Sequence, residues 1–254
     1  MSRTIAIHSS KGGTGKTSLA LNLAGSYVSS GKKVCLMDMD SKGPSLHSFF
    51  NVTPNNYFNE YLRGAISIHE TLTNIDLDRS GQKGELYVAF SDPEIGAIRE
   101  FSTMDRKWQT KILKRLINAK KDLEGLGIDI IILDTSPGVE FGSVNAVAVS
   151  DFVLVTVKPN KICIQSIEQV INGIYRMLGK ECAIIENMCP ESKDHYCSLS
   201  NTNLEVPILE SILCRCDIST LVCKEIITLQ RPEHPYSKSV FRIRDKLDSH
   251  LNLD

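Results

Sequence analysis

The sequence lacks any apolar stretch approaching the ~20 residues that a bilayer-spanning helix needs, so integral membrane association is not expected. It lacks an excess of either charge: 29 Lys and Arg stand against 30 Asp and Glu, a formal net charge of -1. That removes a global electrostatic case for nucleic acid or anionic membrane and leaves only local patches to consider. Internal repeats, low-complexity tracts and linker-like stretches are missing too, and 254 residues suffice for one well-buried core. A single domain over residues 1–254 is expected. The opening "MSRTIAIHSS" runs straight into a strand pattern and leaves no room for a signal peptide, which implies a cytoplasmic protein. In that compartment the 8 cysteines are expected as reduced thiols or ligands rather than as a disulfide framework.

Short β-branched runs alternate with longer segments of helical period, which predicts an α/β fold: a doubly wound, mainly parallel sheet flanked by helices. Strands are expected at 4–9, 33–40, 84–91, 128–136, 151–157, 181–188 and 206–213. A helix follows the first strand, beginning near Lys16 and ending near Gly31. A second covers 107–123, with Trp108, Ile112, Leu113, Leu116, Ile117 and Leu123 on one side. A third covers 163–178, and a closing helix runs through Val240, Ile243, Leu247 and Leu251. Residues 50–85 give only a weak signal of loops and small helices, and no role is assigned to them.

Between the first strand and the first helix stands "HSSKGGTGKTS", residues 8–18. A phosphate-binding loop has Gly, four residues, then Gly-Lys-Ser/Thr. Gly15, Lys16 and Thr17 supply its end, whereas Ser10 occupies the place of the first glycine. Gly12, Gly13 and Gly15 allow the backbone to turn its N–H groups around phosphate oxygens, and the helix start adds the positive end of its dipole. The loop from Gly12 through Gly13, Thr14, Gly15, Lys16 and Thr17 to Ser18 is therefore assigned to nucleotide. Lys16 is expected on the β- and γ-phosphates and the Thr17 hydroxyl on Mg²⁺. A glycine-rich turn with chance lysines is the alternative, and the strand–loop–helix context disfavours it. Such a site also needs carboxylates. Asp38 and Asp40 close the second apolar run, on one face of an extended segment, and Asp134 closes "IIILD". Acids confined to the ends of apolar strands are hard to explain by packing.

A second lysine, Lys11, is redundant for ordinary cradling. The run Lys-Gly-Gly-Thr-Gly-Lys-Thr resembles the deviant Walker A signature of the MinD/ParA/Mrp group of P-loop ATPases. The resemblance implies that Lys11 reaches across a dimer interface to the nucleotide of the other subunit. "DMDSKGPS" looks like that group's first switch, which implies that Asp40 orients hydrolytic water and that Asp38 supports the Mg²⁺ shell. "IIILDTSPGVEFGSVNA" is similar to its Walker B segment and second switch, giving Asp134 a magnesium-bound water and making Pro137-Gly138 the flexible part. Asn187 in "IIENM" matches its adenine-reading asparagine, and "VPILESILCRCDIS" resembles the loop over the base. Residues 50–85 and 189–205 lie outside the resemblance. The implied activity is slow, partner-stimulated hydrolysis of ATP by an ATP-dependent homodimer.

The branch within the group is mixed. "DSKGPS" and "ENM" look like Mrp-type iron–sulfur carriers, and "DTSPGVEFGSVNA" looks like MinD and ParA. The Cys-x-x-Cys pair typical of Mrp-type carriers is absent. Cys189, His195 and Cys197, with Cys214, Cys216 and Cys223, include a metal candidate, "CPESKDHYC", but their spacings fit no standard site. Thiols used as small apolar residues are the favoured reading. Lys107, Lys111, Lys114, Arg115, Lys120 and Lys121 make a basic helix whose alternatives are a DNA contact and an ordinary solvated face; the latter is favoured. "SVFRIRDKLDSHLNLD" is nearly balanced in charge, unlike a membrane-seeking helix. The sequence thus points to a MinD/ParA-type switch that positions or partitions a partner. A metal-carrier ATPase is the alternative, and a biosynthetic enzyme that activates a carboxylate is a more distant one, which the presence of Lys11 opposes.

Overall fold

Strands buried on both faces read as continuous runs of Ile, Leu and Val, and helices must cover both sides of the sheet they form. The computed structural model describes residues 1–77, 84–103, 105–191 and 204–252. Its strands are β1 (Arg3–His8), β2 (Lys33–Met39), β3 (Leu72–Ile75), β4 (Glu85–Ala89), β5 (Ile130–Thr135), β6 (Phe152–Val157), β7 (Cys182–Cys189) and β8 (Ile208–Leu213). They form one sheet in the order β3-β4-β2-β5-β1-β6-β7-β8. Neighbours are parallel except β3 and β4, which pair antiparallel. The expected doubly wound α/β sheet is present.

The side-chain alternation of a strand sorts the core into two layers. Ile5 and Ile7 of β1, Ile130 and Ile132 of β5 and Leu154 of β6 face one side. There they meet α1 (Lys16–Ser29), α9 (Ile227–Gln230) and α10 (Pro235–Leu251). Ala6, Ile131 and Leu133 face the other side, against α3 (Phe58–Arg63), α5 (Arg106–Gly125) and α6 (Phe141–Val149). Val153 and Val155 continue that face under α7 (Lys161–Val170). Smaller helices are α2 (Leu46–Phe50), α4 (Ile95–Ser102) and α8 (Cys216–Leu221). Helix α1 is buried nearly all round, and α9 approaches it so closely that a Cβ on Gly25 would collide with Ile226 and Thr228. The closing helix α10 docks as expected through Val240, Ile243, Leu247 and Leu251, and Tyr27 of α1 donates to Asp248 of α10 (2.9 Å). Among the described residues no helix is long and apolar enough to cross a membrane.

Three expectations need correction. On α5 the buried stripe is Ile112, Leu116, Ala119 and Leu123, whereas Ile117 is 43% exposed. The apolar face is narrower than a count of hydrophobic residues implies. The helix expected over 163–178 is α7 only as far as Val170; Ile171–Tyr175 continues as a π-helical turn, which carries Tyr175 into the core. The second strand ends at Met39, so Asp40 stands in a turn and not on a shared strand face with Asp38.

Ile132 is fully buried at the centre of the sheet. Ile132→Ala should cost about 2–5 kcal/mol, the range for a large-to-small change with incomplete collapse. Ile117→Ala should stay within about 0.5 kcal/mol. Paired urea-denaturation curves check both values, and equal losses would contradict the layer assignment.

Candidate functional site

The strand order reverses direction at β1: the chain goes next to β2 on one side and later to β6 on the other. In open parallel sheets, ligands bind at such a switch point, beyond the carboxyl ends of the strands. Residues 9–15 fill this place and lead into α1. Gly13 and Gly15 take positive φ values of 69° and 90°. At Gly15 a side chain would also strike the Asn187 amide. The amides of Lys16, Thr17 and Ser18 point out of the helix start with no carbonyl behind them in the helix, and the next, on Leu19, donates to Gly15 (2.9 Å). Inward N–H groups plus the helix dipole make an anion site.

Lys16 is buried, and its Nζ donates to Ser9 Oγ (3.0 Å). Burial lowers its pKa, while Asp134 and Asp40 act to raise it. Asp134 is buried directly beside β1, paired in register with Ile7 on one side and Asp38 on the other. Burial raises its pKa to about 7, against the stabilising Thr17 hydroxyl and the Lys16 charge. Asp134 Oδ1 is buried without a hydrogen-bond partner among the described residues. An orphaned carboxylate oxygen next to a threonine hydroxyl is a pair of hard oxygen donors, which fits Mg²⁺.

Asp38 turns both of its oxygens to backbone amides. Its Oδ1 accepts from the amide of Asp40 (3.0 Å), and its Oδ2 accepts from Ser45 (3.3 Å) and Leu46 (3.4 Å). It therefore splints the segment after β2. Burial, and next the neighbouring Asp134 charge, raise its pKa well above the carboxylate range. Asp40 Oδ1 accepts from Ser136 Oγ (2.7 Å) and from the amides of Lys42 (3.2 Å) and Gly43 (3.1 Å). Lys42 Nζ meets Glu140 Oε1 at 2.6 Å. The segment after β2 and the segment after β5 are thus joined twice. A cavity of about 330 Å³ lies beside this junction, with Phe58, Leu62, Phe101 and Ile112 among its walls.

The structure brings Lys16, Thr17, Asp134 and Asp40 to one point. Lys11, Gly12 and Gly13 stand exposed on the rim. The Thr14 side chain turns inward to share a hydrogen bond with Thr156 (2.8 Å), so what Thr14 offers a ligand is its main chain. Asn187 lies beside the loop: its Nδ2 donates to Thr14 O (2.8 Å) and its Oδ1 accepts from the Met188 amide (2.9 Å). One N–H and one lone pair of that amide group remain for a base.

A family model described as an AAA domain matches residues 2–185. The septum site-determining protein MinD of Thermotoga maritima is 30% identical over 181 residues, 70% of this chain and 60% of that protein. The chain belongs to the MinD/ParA family of P-loop ATPases. An uncharacterized ATP-binding protein of Methanocaldococcus jannaschii is 28% identical over 212 residues, covering 82% of this chain and 73% of that one. MinD of Pyrococcus horikoshii, solved in complex with Mg-ADP, has the same fold, with a TM-score of 0.79 at 20% identity over 100% of this chain and 98% of that one.

Several groups around this MinD/ParA-type site escaped sequence reasoning. Ser9, which receives Lys16, and Ser136, which holds Asp40, are small hydroxyl residues just past strand ends. Their position was the available signal. Lys158 follows β6, and its Nζ lies 4.0 Å from where a Cβ on Gly13 would be. The basic helix is less uniform than its composition: Arg115 donates to Tyr61 O (2.6 Å) and Lys120 pairs with Asp151 (2.5 Å). Lys107, Lys111, Lys114 and Lys121 are the members that stay exposed.

Of the cysteine set, His195 and Cys197 lie outside the described residues. Cys189 is buried, Cys214, Cys216 and Cys223 are exposed, and the Cys214 amide donates to Cys189 O (2.7 Å). Among the described residues no group of three or more His, Cys, Asp or Glu is placed to hold a metal.

The raised pKa of Asp134 makes its charge a cost to the nucleotide-free fold. Between the ordinary carboxylate pKa and about 7 the native state holds the extra proton, so this residue's contribution to stability falls as pH rises through that window. Asp134→Asn should therefore raise the melting temperature at pH 8 and change it little at pH 4. Thermal melts of both proteins across pH 4–8 check this, and an equal shift at both ends would contradict it.

Proposed function

We propose that this chain is a Mg-ATP-dependent ATPase that closes into a homodimer when ATP is bound and opens after slow, partner-stimulated hydrolysis. Its output is a changed partner surface, used to position or partition that partner. The observation that carries this reading is the convergence of Lys16, Thr17, Asp134 and Asp40 beneath a loop whose second lysine, Lys11, stands exposed. Glycine N–H groups and the α1 amides cradle the phosphates. Lys16, held meanwhile by Ser9, moves onto their oxygens. Asp40, steadied by Ser136, orients the attacking water. Thr17 and Asp134 would hold Mg²⁺, with Asp38 behind them, and the ion supplies neutralisation of phosphate charge when bound. Asn187 keeps one donor and one acceptor for the N7 and N6 edge of adenine.

Two triphosphates facing each other across an interface repel, and a lysine from each side offsets that charge. An exposed Lys11 suits that task. Sedimentation should show monomers or a loose dimer without ATP and a compact dimer with it. Lys11→Ala should lose the compact dimer, and Lys16→Ala should lose ATP-dependent behaviour altogether while remaining folded. Normal dimerisation and turnover in Lys11→Ala would overturn the cross-subunit role.

Asp40→Ala should keep ATP affinity, lower turnover on the order of 10²-fold and accumulate as an ATP-bound dimer. Single-turnover hydrolysis with sedimentation in ATP checks both effects. Relatives named iron–sulfur cluster carrier protein, 26% identical, support a second reading as a metal carrier. Stoichiometric iron in anaerobically purified protein, lost on Cys189→Ser, would promote it.

A further inference from the structure

We propose that His8 is a positioning residue for the second switch: its imidazole clamps Gly138, and the Tyr175 hydroxyl anchors the ring that does so. This rests on the ATPase reading above. His8 is the last residue of β1 and is 2% exposed. Its Nε2 lies 2.7 Å from Gly138 O, and its Nδ1 meets the Tyr175 hydroxyl. A carbonyl oxygen only accepts, so Nε2 carries the proton. Nδ1 is then an acceptor, and the Tyr175 hydroxyl is its donor. Both nitrogens are satisfied only in this neutral tautomer, and burial, which pushes the His8 pKa down to about 4, keeps the ring neutral. The rings meet edge to face with centroids 5.8 Å apart, which further limits rotation.

Gly138 is held at both of its peptide groups. Its amide donates to Ser9 O (2.8 Å) while its carbonyl accepts from His8. Its φ of 82° is one that a glycine adopts without strain. Consecutive residues of β1 and its loop therefore bracket the switch glycine. The same Ser9 takes Lys16 on its hydroxyl and donates to Lys11 O (2.7 Å). Two residues before Gly138, Ser136 holds Asp40. A clamp on Gly138 thus restrains the serine that aims the water-orienting carboxylate. Tyr175 belongs to the π-helical turn after α7, so the clamp ties the second switch to that turn as well.

The test uses the full chain with His8→Ala, His8→Gln and Tyr175→Phe. The terminal amide of Gln reaches as Nε2 does and can donate to Gly138 O. Phe keeps the ring of Tyr175 but leaves His8 Nδ1 without its donor, so the imidazole loses the hydrogen bond that anchors it against Gly138. His8→Ala and Tyr175→Phe should lower kcat on the order of tenfold with KM for ATP within about twofold, since orientation and not binding is disturbed. His8→Gln should restore most of the kcat. Hydrogen exchange of the Gly138 amide in nucleotide-free protein should quicken in His8→Ala and Tyr175→Phe but not in His8→Gln. Parent-like kinetics and exchange in His8→Ala and Tyr175→Phe would overturn the proposal. A His8→Gln as impaired as His8→Ala would also overturn it, by reducing His8 to packing. If the parent itself hydrolyses no ATP, the ATPase reading fails, and the exchange pattern alone decides the clamp.

Discussion

Burying an ammonium and a carboxylate together is the constraint around which the rest of this molecule is arranged. Lys16 and Asp134 are both withdrawn from water at the carboxyl end of the central strands, and each is in the other's field. Desolvation outweighs the attraction between them, so both charges are held at a cost to the nucleotide-free fold, which must keep the partners in place. Adjacent strands do this: β1 and β5 pair in register through Ile7 and Asp134, and α1 starts directly above them. The tension shows in opposite pKa shifts, with Lys16 lowered and Asp134 raised. A site in which both charges are under-compensated is poised for a ligand that brings phosphate to one and a cation to the other.

The same economy governs the segments that follow β2 and β5. Asp38, identical in type to Asp134 and opposite it in register, turns its oxygens to backbone amides and becomes a splint. Asp40 is shared between its own turn and Ser136, and Lys42 crosses to Glu140. These contacts join the segments after β2 and β5 directly. Gly138 extends the junction to β1 through Ser9 and His8. These bonds connect the segments to one another and to β1 directly, without the hydrophobic layers as intermediary.

The layers themselves set where the site can be. Buried Ile, Leu and Val pack both faces of β1, β5 and β6, and the buried charges Lys16, Asp38 and Asp134 gather at the strand ends. Helices α1, α9 and α10 close one face, while α3, α5, α6 and α7 close the other. The closing helix is part of this enclosure rather than a free amphipathic surface, since its apolar residues are taken up by α1 and β8.

By itself the sequence determined the sheet, the phosphate loop and the acids that accompany it. These are carried by local signals: buried runs of β-branched residues, glycines where the backbone must turn, and charges placed abruptly at the ends of apolar runs. It also determined the helical stripe of α10, whose period is unbroken. What only the tertiary structure decided is how the identical groups at strand ends divide their work. Nothing local separates Asp38 as a splint from Asp134 with its orphaned oxygen, because the difference lies in which amides a distant loop brings near. Ser9, Ser136, His8 and Tyr175 were illegible for the same reason: their partners lie 7, 96, 130 and 167 residues away. Strand β3 and helix α6 were hidden as well, the first by its shortness and the second by being apolar on every side, with no period to read. Periodicity reports one residue's relation to its own element, and these roles belong to contacts between elements.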